Sequence, residues 1–129
     1  AKQKKLREIL KVYQRKFAKK NKRVCIEGRD IGTVILPTAD IKFFFTCNIN
    51  IAARRRYREL KKKNLKIKFS EVKKAMIIRD KLDRTRKISP LIKPKNAVIV
   101  PTDKLKNIKG MMKKLTYIVE EKIKEKYGN

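Results

Sequence analysis

Hydrophobic residues recur at helical spacing near the start of the chain. They stand at positions i, i+3 and i+4, which is typical of a helix with one apolar face. These residues are Leu6, Ile9, Leu10, Tyr13 and Phe17. The spacing predicts an amphipathic helix from residue 2 to about residue 20, with a basic outer face.

Three shorter runs of apolar residues have the length of β-strands. They occupy residues 23–27, 41–46 and 96–101. The second run, IKFFFT, is a strong signal of a buried strand, with three consecutive phenylalanines, and is closed by Cys47 and Asn48.

Two helices are predicted between the second and third strands. Asn48 or Asn50 is a candidate N-cap for a helix that carries clustered arginines and fades in the lysine-rich run KKKNLKIK. Ser70 is a candidate N-cap, with Glu71 in the first turn, for a helix that extends to about Asp83 or a little beyond.

Apolar residues at helical spacing predict a last helix over residues 105–126. Strands therefore alternate with helices, which indicates an α/β fold with a parallel sheet covered by helices. Ligands in such folds bind beyond the carboxyl ends of the strands. The loop after Glu27 and the end of the 41–46 strand fall at that position.

Charge is the unusual property of this 129-residue chain, whose length suits a single domain. Its 39 basic and 12 acidic residues give a formal net charge of +27, which would attract any polyanion. Lysine, however, is scattered throughout, whereas arginine is sparse and concentrated between Arg54 and Arg86. Because arginine grips phosphate or carboxylate with a planar fork, its placement is more informative than the net charge.

Cys25 and Cys47 stand in apolar, strand-like contexts without histidine or a CxxC spacing. This pattern favours neither a metal site nor a disulfide framework, and predicts buried thiols in a cytoplasmic protein. No apolar run approaches the roughly 18 residues that span a bilayer, and the N-terminal residues do not resemble a secretory signal. We therefore expect no membrane partner.

The stretch GRDIG places Arg29 and Asp30 between Gly28 and Gly32. One interpretation is a plain loop, in which Asp30 caps a turn, Arg29 is exposed and the glycines supply positive φ. The other is a site, because paired glycines indicate a backbone that bends or is approached closely around a charged pair.

Arg79, Asp83 and Arg86 are separated by four and then three residues, so a continuous helix would place them on one face. They could form an ordinary surface ion pair worth about 0.3 to 0.5 kcal/mol. Alternatively, two guanidinium groups bind a phosphate while the carboxylate accepts hydrogen bonds from a sugar hydroxyl.

The run AARRRYREL holds four arginines that cannot all face one direction on a helix: Arg54, Arg55, Arg56 and Arg58. Such a charge run is usually a solvated face. Next to a lysine-rich segment suited to movement, however, one or two of them could reach a transferring phosphoryl group.

These stretches together resemble bacterial cytidylate kinase, the P-loop nucleoside monophosphate kinase that acts on CMP and dCMP. The resemblance runs over nearly the whole chain, through LREILKVYQR, EGRDIGTVILPTADIKFFFT, AARRRYREL, RDKLDRTRKISPL and AVIV. It implies a partial three-layer parallel sheet of the P-loop nucleoside monophosphate kinase type, with helices on both faces. Residues 1–129 would form a single domain with a lid-like segment at about residues 54–69.

The resemblance also implies roles for individual residues. Arg7 and Asp30 match residues that read the cytosine ring, and Asp83 matches the carboxylate bound to the ribose. The arginines that match those around the CMP phosphate are Arg29, Arg79 and Arg86. Arg55 and Arg56 match arginines of the lid that closes over the phosphates, and are the candidate catalytic residues.

The family's N-terminal phosphate loop has no counterpart here, because no GxxxxGK[ST] motif occurs. We therefore expect the C-terminal portion of a kinase that transfers the γ-phosphoryl of ATP to CMP or dCMP, inactive alone. ATP with Mg²⁺ would bind mainly to the missing part, and this chain would hold no metal. The parent is expected to be a monomer without a specific nucleic-acid partner.

Two alternatives from other classes remain open at this stage. A small basic RNA-associated protein would bind by counterion release, but needs aromatic residues on an exposed sheet. The consecutive residues Phe43, Phe44 and Phe45 point to both faces of a strand, which suits a core better. The second alternative is a non-catalytic relative that only binds nucleotide.

Overall fold

A computed structural model describes residues 3–63, 65–87 and 90–128 of the chain. Its elements, in order, are α1 (Lys4–Lys20), a π-helical turn (Ile31–Ile35), β1 (Phe43–Thr46), α2 (Ile49–Lys62), α3 (Phe69–Thr85), β2 (Val98–Pro101) and α4 (Ile108–Tyr127). The chain divides into two compact units, the first formed by Ala1–Asp40 and Ala75–Asn96 and the second by Ile41–Lys74 and Ala97–Asn129. Residue 2 of the predicted first helix and residue 64 of the predicted lid lie outside the described residues.

The sheet of the second unit consists of β1 and β2, which run parallel. Phe43 pairs with Val98 and Thr46 with Pro101, so the register holds over the full length of both strands. The predictions of strands at 41–46 and 96–101 are confirmed. Mixed helices and strands with a small parallel sheet form the fold, in agreement with the predicted fold class.

The prediction of a strand at residues 23–27 is wrong, because this segment has no regular structure. Val24 and Cys25 are both exposed, so the prediction of a buried thiol is also wrong for Cys25. A strand is stable only when its backbone groups pair with a neighbour. In the described part of the chain this segment has no strand beside it, because β1 and β2 pair with each other alone.

The carboxyl ends of the two strands are joined through Thr46 and Thr102. The backbone N–H and the Oγ1 hydroxyl of Thr102 both donate to the carbonyl of Thr46, at 2.8 and 2.9 Å. Just beyond this point, the N–H of Asn48 donates to the carboxylate of Asp103. The edge of the sheet at which parallel folds place their ligands is thus held by several hydrogen bonds.

Side-chain caps explain where the helices of the second unit begin. Asn48 accepts a hydrogen bond from the N–H of Asn50 at 2.9 Å and is the N-cap of α2, one of the two predicted candidates. Asn107 caps α4 in the same way, so this helix begins three residues later than predicted. Ser70 is not an N-cap, because α3 already begins at Phe69.

The apolar face of α1 is turned to solvent. Leu6, Tyr13 and Phe17 are 45%, 68% and 48% exposed, respectively. The half-buried positions of α1 lie at residues 7, 11, 14 and 18, which form a different and more polar face. The prediction of the helix α1 is confirmed, but the prediction that its outer face is the basic one is wrong. The periodicity of apolar residues predicts a helix but does not determine which of its faces packs against the rest of the chain.

Few side chains are deeply buried. Among the described residues, Ile35 and Pro94 are buried in the first unit, and Ala53, Val72 and Val100 in the second. Tyr57 of α2 and Phe69 at the start of α3 add an edge-to-face ring contact with centroids 6.0 Å apart. The core of the described residues is therefore made of small and medium side chains.

The side chain of Ile31 lies so close to Gly28 that there is little room for a larger residue at position 28. A Cβ atom there would stand 2.7 Å from Cγ1 of Ile31, the first residue of the π-helical turn. Gly128 is the glycine with positive φ in the described part of the chain, so the GRDIG loop does not need glycine for that reason. The prediction of a closely approached backbone is confirmed at Gly28.

We expect Gly28→Ala to destabilise the chain by about 1 kcal/mol, because the added methyl group overlaps the Ile31 side chain. In an Ile31→Ala background, which removes the opposing atoms, the same substitution should cost clearly less. Urea unfolding of the four chains of this double-mutant cycle measures the difference. Additive effects of the two substitutions would contradict the steric explanation.

Candidate functional site

Three arginines meet one carboxylate at the end of α3. Nη1 of Arg29 lies 2.5 Å from Oδ2 of Asp83, and Nη1 of Arg86 lies 3.3 Å from Oδ1. Nε of Arg79 lies 3.9 Å from Oδ2 of the same carboxylate. We call these four residues, all in the first compact unit, the arginine cluster.

Local structure explains why the cluster forms. The helix α3 extends to Thr85, and the N–H of Arg86 still donates to the carbonyl of Leu82 at 3.1 Å. Spacings of four and three residues therefore bring Arg79 and Arg86 to Asp83, as predicted. The chain then returns, and the N–H of Leu91 donates to the backbone carbonyl of Asp83 at 2.8 Å.

Arg29 reaches the cluster from the GRDIG loop, 54 positions earlier in the chain than Asp83. The contact between Arg29 and Asp83 is closer than either of the contacts within the helix. The interpretation of Arg79, Asp83 and Arg86 as an isolated surface ion pair is therefore incomplete, because a distant segment supplies the nearest cation.

The arginine cluster carries excess positive charge around a carboxylate that is only 16% exposed. Three guanidinium groups and one carboxylate sum to +3 − 1 = +2. Oδ2 of Asp83 has no partner with hydrogen-bond geometry among the described residues, although Arg29 stands beside it. A phosphate monoester, with about −1.5 to −2 charges and several acceptor oxygens, complements this arrangement.

Asp30, by contrast, keeps its carboxylate available. Its backbone carbonyl accepts hydrogen bonds from the N–H groups of Val34 and Ile35, at 2.9 and 3.2 Å. The half-buried side chain does not cap the turn and has no ion pair or hydrogen bond within the described part of the chain. The interpretation of Asp30 as a capping residue is therefore wrong.

Arg7 lies on the half-buried face of α1. Its side chain contacts no carboxylate among the residues that the structure describes, and the cluster of Arg29, Arg79, Asp83 and Arg86 does not include it. The structure thus brings four of the six predicted nucleotide-binding residues into direct contact, and leaves Arg7 and Asp30 half-buried without such contacts.

The arginine run of α2 divides into different roles. Arg55 is half-buried, and its Nη2 donates to the carbonyl of Thr102 at 2.6 Å. Its Nη1 lies 3.4 Å from the Thr102 hydroxyl and 3.5 Å from Sγ of Cys47. Arg56 forms an exposed ion pair with Glu59 at 3.0 Å, while Arg54 and Arg58 are exposed. Arg55 therefore links Cys47 and Thr102, the residues that directly follow β1 and β2.

Sequence reasoning missed two residues, Arg15 and Thr102. Arg15 donates to backbone carbonyls of the π-helical turn, although the pattern placed it on a basic outer face. The available signal was its type, because arginine is the rarer cation in this chain. Thr102 follows β2 directly, where parallel folds place functional residues.

No group of three or more potential metal ligands occurs within residues 3–63, 65–87 and 90–128. Across the same ranges, every helix is too short or too polar to cross a membrane. Asp83 is already surrounded by guanidinium groups. The described donor set does not fit Mg²⁺.

Comparisons with known proteins show the family to which the chain belongs. The family model for cytidylate kinase matches residues 1–121. The chain belongs to the cytidylate kinase family. Curated cytidylate kinases that it resembles include that of Thermosipho melanesiensis, 40% identical over 119 residues, and that of Caldanaerobacter subterraneus subsp. tengcongensis, 49% identical over 100 residues.

The chain spans about half the length of the curated relatives it matches. The alignment with the Thermosipho melanesiensis protein covers 92% of this chain and 54% of the relative, and that with the Caldanaerobacter protein covers 78% and 44%. A cytidylate kinase of Rickettsia akari, 38% identical over 118 residues, matches 92% of the chain and 53% of its own length.

We expect Arg55→Ala to destabilise the chain by about 1 to 3 kcal/mol, because it removes charge-assisted hydrogen bonds and leaves the Thr102 carbonyl without its guanidinium donor. The matched control is Arg58→Ala, an exposed arginine on the same helix, which should change stability by less than about 0.5 kcal/mol. Urea unfolding measures both, and equal losses would contradict the bridging role of Arg55.

Proposed function

We propose that this chain supplies the acceptor-nucleotide part of a cytidylate kinase, which transfers the γ-phosphoryl of ATP to CMP or dCMP. The observation that carries the proposal is the arginine cluster, in which separate segments of a family member converge on Asp83. Residues 1–129 act as one domain in this proposal, and the parent enzyme is a monomer with no specific nucleic-acid partner.

In the proposed mechanism, the phosphate of CMP binds to the guanidinium groups of Arg29, Arg79 and Arg86. Their mutual repulsion is already offset by Asp83, so they stand close together before the nucleotide arrives. When the phosphate oxygens accept hydrogen bonds from the three guanidinium groups, the Asp83 carboxylate can accept hydrogen bonds from the ribose hydroxyls. Holding the acceptor nucleotide still is the main contribution to transfer, because this chemistry depends on position and charge.

Recognition of the base is assigned to Arg7 and Asp30. The exocyclic amine of cytosine can donate a hydrogen bond to a carboxylate. Uracil has a carbonyl oxygen at the same position, which cannot donate. Asp30 has its carboxylate available for such a contact. Arg7 would donate to the acceptor atoms of the ring. This pairing favours CMP and dCMP over UMP.

Arg55 and Arg56 are proposed as catalytic residues of a lid at about residues 54–69. Positive charge delivered to the transferring phosphoryl group lowers the barrier to its transfer. Arg56 can reach outward at little cost, because its present partner is the exposed Glu59. Arg55 would first have to exchange its hydrogen bond to Thr102.

ATP with its Mg²⁺ is assigned to residues beyond those of this site. The sequence holds no GxxxxGK[ST] motif, and the described residues hold no group of three metal ligands. When bound, Mg²⁺ would neutralise charge on the phosphates, and the contribution of this chain is to bind and orient the acceptor. The chain alone is therefore expected to bind CMP without turning it over.

Arg86→Lys should weaken CMP binding to the chain by about tenfold or more, because one ammonium group cannot replace a planar fork with two parallel donors. The matched control is Arg84→Lys on the same helix, where the arginine pairs with Asp80 at 2.9 Å and should change affinity by less than about twofold. Isothermal titration calorimetry with CMP measures both. Failure of the unaltered chain to bind CMP would overturn the proposal, and so would equal effects of the two substitutions.

Catalysis can be tested in a chimaera that joins this chain to the part of the Thermosipho melanesiensis cytidylate kinase outside the 119 matched residues. We expect CMP-dependent consumption of ATP by the chimaera, and none by the chain alone. Arg86→Lys in the chimaera should lower kcat/KM for CMP by about tenfold or more, with Arg84→Lys again as the control. A chimaera that binds CMP but never phosphorylates it would instead indicate a non-catalytic nucleotide-binding relative.

A further inference from the structure

Arg15 of α1 reaches across to the π-helical turn that follows the GRDIG loop. Its Nε donates to the carbonyl of Ile35 at 2.8 Å, and its Nη2 donates to the carbonyl of Val34 at 2.9 Å. Two parallel hydrogen bonds from one guanidinium group fix both the distance and the angle of the turn relative to α1. Both elements belong to the first compact unit.

The π-helical turn is only five residues long, so few hydrogen bonds of its own hold it. Its bonds run from the N–H of Ile35 to the carbonyl of Asp30 and from the N–H of Leu36 to the carbonyl of Ile31, at 3.2 and 2.7 Å. π-Helical turns are rare and are often found at functional sites. The carbonyls at the end of a helix have no partner within it, and a cation is favourable there.

The turn begins where the proposed base-reading carboxylate stands. Asp30 immediately precedes Ile31, and its backbone carbonyl accepts the hydrogen bonds that open the turn. Arg29 and its contact with Asp83 lie one residue further back. A displacement of the turn would therefore move Asp30 directly, while Arg29 is held independently by the arginine cluster.

We propose that Arg15 is a positioning residue, which holds the π-helical turn so that the Asp30 carboxylate faces the cytosine amine. This inference rests on the proposed function, because it concerns discrimination between CMP and UMP at the same site. Arg15 touches neither the base nor the phosphate in this proposal. It acts through the backbone that carries Asp30.

The first measurement does not involve nucleotide. In Arg15→Met, hydrogen exchange at the amides of Val34, Ile35 and Leu36 should accelerate by about tenfold or more, because the turn loses its charge-assisted hydrogen bonds. The matched control is Lys16→Met, which removes one positive charge at the neighbouring exposed position of α1. Exchange at the three amides should stay unchanged in the control, and equal exchange in both variants would overturn the inference.

The second measurement is the ratio of the affinities of the chain for CMP and UMP. Arg15→Met should lower this ratio by about fivefold or more, since the misplaced carboxylate no longer selects the amine. Arg15→Lys, which retains charge but can satisfy fewer donor positions, should lie between the wild type and Arg15→Met and remains informative if the methionine variant does not fold. A loss of affinity that is equal for both nucleotides would reveal a merely structural residue and overturn the inference.

The two proposals fail in distinguishable ways. A wild-type chain that does not prefer CMP to UMP would overturn the proposed function, and this inference with it. A preference that is present in the wild type and survives unchanged in Arg15→Met would overturn this inference alone.

Discussion

The Asp83 carboxylate is the group on which the order of the site depends. Guanidinium groups repel one another, so three of them remain close together only around an anion. Asp83 supplies this anion at a position where α3 ends, Arg29 arrives from a distant loop, and Leu91 returns to its backbone carbonyl. One side chain and one carbonyl of the same residue therefore join three segments of the first compact unit.

Arginine and lysine serve different purposes in the described residues. Arg15, Arg29 and Arg55 each connect segments that are far apart in sequence, and Arg15 and Arg55 each use two nitrogens of the guanidinium fork. The lysines Lys63, Lys122 and Lys124, in contrast, form exposed ion pairs with residues only three or four positions away. The net charge of +27 thus gives little information about the site, whereas the placement of a few arginines gives much of it.

The sequence predicts those features that depend on short-range spacing. The contacts of Arg79 and Arg86 with Asp83, the pairing strands at 41–46 and 96–101, and the Asn48 cap all follow from local rules. Features that depend on a distant partner could not be predicted. Residues 23–27 have strand composition but no neighbouring strand, and the periodicity of α1 does not reveal that its apolar face is exposed.

The two acidic residues of the site differ in a way that fits a division of labour. Asp83 is surrounded by three guanidinium groups, so its charge offsets their mutual repulsion and, in the proposed function, holds the phosphate-binding groups in place. Asp30 has no such partner among the described residues, so in the proposed function its carboxylate is available to a hydrogen-bond donor of the ligand. A ligand that lacks this donor leaves the partly buried carboxylate without a hydrogen bond. The free-energy cost of an unsatisfied buried group is larger than the net gain from a typical hydrogen bond. In the proposed function, selectivity for the base would therefore depend on how firmly the backbone at Asp30 is held, and the Arg15 guanidinium donates two hydrogen bonds to the turn that follows it.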